Sequence, residues 1–119
     1  MKHENTGIKR ILVAFKNSYD GFKVAFVNEE AFRQDLLICL VLLITSFFLS
    51  VSKAEYLWLI FSLIFVLFAE LTNSAIENCI DRISKDWHEL SKAAKDIGSL
   101  LVFLSFVNLI LCWIIVCFV

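Results

Sequence analysis

No proline occurs in the 119 residues and only three glycines do, so no linker rich in either divides the chain, which reads as one small domain. Excess charge of one sign is also lacking. The 11 Lys and Arg against 12 Asp and Glu leave a net charge of -1, which gives no electrostatic case for nucleic-acid binding. The four cysteines, Cys39, Cys79, Cys112 and Cys117, form no CxxC pair and three lie in apolar runs; they read as structural filler, without a disulfide framework or zinc site. His3 and His88 stand far apart and form no HExxH motif. There is no GxxxxGK[ST] loop and no kinase-type glycine loop, so any nucleotide site here is of an unusual kind. The first long apolar run begins only at Leu36, too late and too strongly flanked by charge for an ordinary secretory signal peptide, and the chain is expected to stay whole in a membrane.

What is abundant is apolar. Hydrophobic residues make up 60% of the chain and mean hydropathy is +0.79, a membrane composition. Residues 1 to 6 are polar and expected to fray. From Gly7 to Val27, Ile8, Ile11, Leu12, Phe15, Tyr19, Phe22 and Phe26 recur at spacings of three and four, with Lys9, Arg10, Lys16 and Lys23 elsewhere. This predicts an amphipathic helix over 7–27 lying along the headgroup region, with a bend at Asp20-Gly21. A charged segment, 28–35, leads into a first span over 32–52. Ser52-Lys53-Ala54-Glu55 reads as a turn, and a second span with a polar extension runs over 56–83, opening on interface aromatics at Tyr56 and Trp58. Ser84 to His88 reads as a loop in which Ser84 or Asp86 caps the next helix, with His88-Glu89 a solvated pair at its start. The third span follows over 89–119, starting in water and crossing from Ile97, 23 residues without a charge. The fold class is thus an all-α membrane protein: a surface helix plus three transmembrane helices.

Chemistry concentrates between Glu70 and Ser99. In one continuous helix Glu70, Asn73, Glu77 and Asp81 recur at i, i+3, i+7 and i+11 and form a single acidic stripe. The uncharged run Tyr56 to Ala69 rises only about 21 Å, so a crossing must continue to about Ile76 and leaves Glu70 roughly 9 Å below the boundary. A carboxylate at that depth is expensive unless it faces protein or water, which marks a functional site; interhelical hydrogen bonding is the bland alternative. Ten basic residues precede the first span or lie between the second and third, against Lys53 alone in the first turn. That asymmetry predicts a cytosolic N-terminus and 81–96 segment and an outside C-terminus. Carboxylates beside lysine at such an edge suit either metal-assisted phosphoryl transfer or cation passage.

ELTNSAIENCIDRI followed by HELSKAAKDIGS, with NEEAFRQD upstream, resembles the small three-span diacylglycerol kinase family of bacteria, from about Gly7 to Trp113. The resemblance implies transfer of the γ-phosphate of MgATP to diacylglycerol at the cytosolic face of the inner membrane. It implies Glu70 as general base supported by Asn73, and Glu29 and Glu77 as carboxylates for Mg²⁺. Lys95 and Asp96, with Asp86, Trp87 and His88, would contact nucleotide, as would Arg10 and Asn17. Lipid contacts are implied at Arg10, Ala14, Ser18 and Tyr19, at Ala31, Phe32, Arg33, Gln34 and Asp35, at Phe48 and Val51, and at Glu70, Ser99 and Trp113. Asn17 stands where many relatives carry an aromatic residue, and Asp35 where they often carry Glu. Three spans enclose Glu70 poorly, which favours a homo-oligomer, and the resemblance implies a trimer with shared sites. Undecaprenol in place of diacylglycerol is the nearest alternative, a small cation channel or transporter subunit the next, and a non-catalytic assembly protein the last.

Overall fold

The computed structural model of the protein describes residues 6–119. Four helices account for almost all of them: α1 (Gly7–Asn28), α2 (Glu30–Ser46), α3 (Lys53–Ile83) and α4 (Glu89–Phe118), with no strand among the described residues. The fraying expected for residues 1 to 6 falls, apart from Thr6, outside the described residues, as does His3. Two of the helices, α3 and α4, are long and apolar enough to cross a membrane.

Each boundary has a local cause. α1 runs unbroken through Asp20-Gly21. α2 ends at Ser46, six residues short of the expected limit, although the apolar run continues. Thr45 and Ser46 turn their hydroxyls back onto Val41 and Leu43 carbonyls, and the amides of Phe47, Phe48 and Leu49 bond three residues back. That tight pattern closes the last turn. Ser52 to Glu55 is not a turn but the start of α3: Ser52 Oγ accepts from the Glu55 amide at 3.1 Å and Glu55 Oε1 accepts from the Ser52 amide at 2.9 Å. The reciprocal pair satisfies two amides that a helix start otherwise leaves open. Neither Ser84 nor Asp86 caps α4; His88 does, its Nδ1 accepting from the Leu90 amide at 3.0 Å.

α3 is the central element. α4 packs along it most extensively, α2 leans on it, and α1 touches α2. The core joins Cys39 of α2, Leu63 and Val66 of α3 and Leu109 of α4, with Trp113 and Phe106 packed around it. The molecule is a slab of 48 × 43 × 22 Å, roughly two helices thick. Large apolar side chains therefore remain uncovered on most of α1, α2 and α4. So much apolar surface marks contact with lipid or with other protein.

Candidate functional site

The stripe on α3 is graded in depth. Glu70 and Asn73 are 7% and 9% exposed, while Glu77 and Asp81 are half-buried. α2 adds a third buried polar residue: Asp35, 8% exposed, brings its carboxyl group within hydrogen-bond reach of Glu70. Glu77 and Glu29 lie close enough for their charges to act on Glu70. Carboxylates from α2, α3 and the α1–α2 joint thus surround Glu70 within electrostatic reach.

Asn73 organises the α3 side of this cluster. Its Nδ2 donates to Glu77 Oε2 at 3.4 Å, which fixes the amide orientation and turns Oδ1 inward. Oδ1 is buried without a partner, as is Asp35 Oδ2. Facing Asn73 across the helix pair is Gly98 of α4, where an added Cβ would overlap Asn73 Oδ1. Only glycine permits this approach of α4 to the stripe. Gly98 was not among the residues singled out from sequence, although it lies inside the AKDIGS segment.

Further along α3 the stripe meets α4. Lys95 Nζ donates to Asp81 Oδ1 at 2.9 Å, joining the two helices, and Lys92 pairs with Asp96 at 2.7 Å within α4. The hydrogen bond from Lys95, with the charges of Lys95 and Lys85, holds the Asp81 carboxyl below the usual carboxylate range. Beside this pair a cleft of about 360 Å³ is lined by Lys85, Asp86, Trp87, His88, Lys92, Lys95 and Asp96 with Ile80 behind them. The loop that forms it is short and shaped by its own polar groups: Ser84 Oγ accepts from the Asp86 amide at 3.0 Å, and His88 begins the next helix. All five residues expected from sequence near Asp86 and Lys95 line one concavity.

A second hollow, about 540 Å³, lies between α1 and α3 and is lined by Ser18, Gly21, Phe22, Ala25, Glu29, Leu71, Ser74 and Asn78. It is mostly apolar, with Glu29 the one acidic residue in its lining. The remaining expected residues are dispersed. Arg10, Ala14, Asn17 and Tyr19 are exposed on α1, and Ala31 and Gln34 are exposed on α2. Phe32 is buried edge-on against Phe22, and Arg33 bonds to backbone carbonyls of α1. Ser99 is exposed beside Gly98. Phe48, Val51 and Trp113 stand apart from the cluster: Trp113 follows Gly98 by about 22 Å along α4, and Phe48 and Val51 sit in the turn between α2 and α3.

Among the described residues no three acidic, histidine or cysteine side chains converge tightly enough to cage a metal ion unaided. The carboxylate set nevertheless fits a hard cation that takes its remaining ligands from water and phosphate, as Mg²⁺ ordinarily does.

A sequence profile described as prokaryotic diacylglycerol kinase matches residues 16–117. The chain is 44% identical over 108 residues to a diacylglycerol kinase of Pseudomonas aeruginosa, covering 91% of this chain and 88% of that one. It is 41% identical over 103 residues to one from Haemophilus influenzae, covering 87% of each. The diacylglycerol kinase of Escherichia coli matches at 37% over 113 residues, 95% of this chain and 93% of the other.

Proposed function

The chain belongs to the prokaryotic diacylglycerol kinase family, and on that premise we propose that Glu70 is the general base for phosphate transfer from MgATP to the free hydroxyl of diacylglycerol. It is a membrane kinase with ATP as phosphate donor. The observation that carries the proposal is the convergence of Glu29, Asp35, Glu70 and Glu77 around the open oxygens of Asp35 and Asn73. Asp35 Oδ2 can receive a donor from a substrate, whereas Asn73 Oδ1 is packed against Gly98.

Glu70 takes the proton from the lipid hydroxyl as its oxygen bonds to the γ-phosphorus and the bond to the β-phosphate oxygen breaks, releasing ADP and phosphatidic acid. Asn73 keeps Glu77 oriented, and Asp35 holds the hydroxyl beside Glu70. Glu29 and Glu77 are the residues to hold Mg²⁺, which when bound neutralises phosphate charge. The cleft at Asp86, Trp87 and His88 receives the nucleotide, with Lys95 and Asp96 contacting it. Arg10 and Asn17 approach from α1 at the same boundary. The apolar hollow beside Ser18 and Glu29 accepts the lipid, and Ala14, Tyr19, Ala31, Phe32, Gln34 and Ser99 meet it outside the hollow. Phe48, Val51 and Trp113 meet lipid at the far end, away from the reacting hydroxyl.

α2, about 26 Å long, crosses as a third span when the segment through Val51 is included. The chain is one membrane domain over 1–119 in the bacterial inner membrane, its N-terminus and 81–96 segment cytosolic and its C-terminus outside. The bare apolar faces of α2 and α4 are covered in a homotrimer with shared sites.

Phosphate transfer from ATP in detergent micelles with Mg²⁺ tests this, with diacylglycerol and undecaprenol in competition. Wild type should form phosphatidic acid, and Glu70→Gln should lose about 10²-fold or more of that rate while staying folded. Transfer to undecaprenol alone would change the substrate and keep the mechanism. Transfer to neither lipid would overturn the proposal, and cation flux without ATP would favour the channel.

A further inference from the structure

Glu29 is the single residue between α1 and α2. Its backbone is extended, with φ -117° and ψ 105°, and it closes α1 and opens α2 at once. Its amide bonds to the Ala25 carbonyl at 2.9 Å, and its carbonyl accepts from the Arg33 amide at 3.3 Å. The direction of the Glu29 side chain therefore depends on the angle at which two helices meet through one residue.

That angle is held from α2. Arg33 Nη1 donates to the Phe26 carbonyl at 2.6 Å and to the Val27 carbonyl at 3.1 Å. Both carbonyls belong to the last turn of α1, which has no intrahelical amide to serve them and carries the negative end of the helix dipole. α1 has no basic residue of its own in that turn. The cation comes from the next helix instead. On the other side of the joint Phe32, 2% exposed, packs edge-on against Phe22 at 5.8 Å. A guanidinium and a ring thus fix the corner, and the Glu29 carboxylate is held within electrostatic reach of Glu70.

We infer that Arg33 is a positioning residue: by capping α1 across the joint it aims Glu29 at the carboxylate cluster. The inference rests on the reading of Glu29 as a metal-holding carboxylate. It gives Arg33 a different kinetic signature from a lipid contact, because its loss disturbs metal binding rather than lipid affinity. Lysine is a partial replacement, since an ammonium can reach a carbonyl but lacks the planar fork.

The test uses the full chain in detergent micelles, with Mn²⁺ binding followed by electron paramagnetic resonance in the presence of a non-transferable ATP analogue. Diacylglycerol KM is measured in parallel. Arg33→Gln is expected to weaken Mn²⁺ binding by about tenfold, as loss of a residue supporting a ligand commonly does, with diacylglycerol KM unchanged. Arg33→Lys should fall between it and wild type. Should Arg33→Gln fail to fold, judged by helix content, Arg33→Lys carries the comparison. Unchanged Mn²⁺ binding in the Arg33 variants, with Glu29→Gln weakened, overturns the inference and leaves the metal reading standing. Unchanged binding in Glu29→Gln as well overturns both. A raised diacylglycerol KM with normal Mn²⁺ binding returns Arg33 to a lipid contact.

Discussion

In the apolar half of the bundle Ser46, Ser62 and Ser105 are buried, and each hydroxyl donates to a carbonyl of its own helix at 2.6 Å. At the acidic end of α3, Asp35 and Asn73 are buried nearly as deeply and each keeps one oxygen without a partner. The two regions treat these side-chain oxygens differently, although Trp113 Nε1 in the apolar half is also buried without a partner. A serine closed on its own helix is a small residue that lets helices approach, and it asks nothing of a ligand. An open buried oxygen costs about 1–3 kcal/mol.

That contrast is sharpest in its failure modes. Asn73→Ala removes the open oxygen and the bond to Glu77 without adding bulk against Gly98; phosphate transfer should fall by about 10–100-fold while thermal stability in detergent changes little. Unchanged phosphate transfer would place Asn73 with the serines. Gly98→Ala strikes where α4 meets the stripe, and the overlap with Asn73 should cost about 1–3 kcal/mol in unfolding measurements, with activity reduced alongside. Ser62→Ala should change stability by about 1 kcal/mol or less and leave transfer rates alone; a large activity loss would erase the distinction.

The smallest effect concerns pH. Asp81 titrates below its ordinary value because Lys95 bonds to it. The contribution of that tether is therefore present above the ordinary carboxylate pKa and lost only as pH falls through the lowered one. The side chains of Lys95 and Asp81 are 41% and 39% exposed, so solvent screens the pair. Melting curves of wild type and Asp81→Asn should differ slightly near neutrality and converge in acid. A difference that grows in acid would contradict the assignment.

Periodicity made the stripe readable: Glu70, Asn73, Glu77 and Asp81 share a face because a helix repeats every 3.6 residues. The α3 start was also written in the chain, since Ser52 and Glu55 have capping-box spacing, but their polarity between two apolar runs reads equally as a turn. The end of α2 was not legible, because Phe47 to Val51 continue the apolar run and only the back-bonded Thr45 and Ser46 close the helix. The meeting of Asp35 with Glu70 depends on how α2 leans on α3, which no local spacing encodes. Gly98 lay in the same blind spot. Its neighbours Lys95 and Asp96 carry charge and attract notice, whereas a glycine inside a helix declares itself only when another helix comes close.

The one-residue joint at Glu29 also bears on which length changes the chain can accommodate. Connecting segments ordinarily absorb insertions at the surface, but this one has no slack to absorb them. One residue added within the last turns of α1 would rotate the preceding part of that helix by about 100° relative to α2, turning the face that Ile8, Ile11 and Phe15 share away from its present direction. The phase between the two helices, as much as any side chain, is then under constraint, and length variation should collect at the chain ends instead.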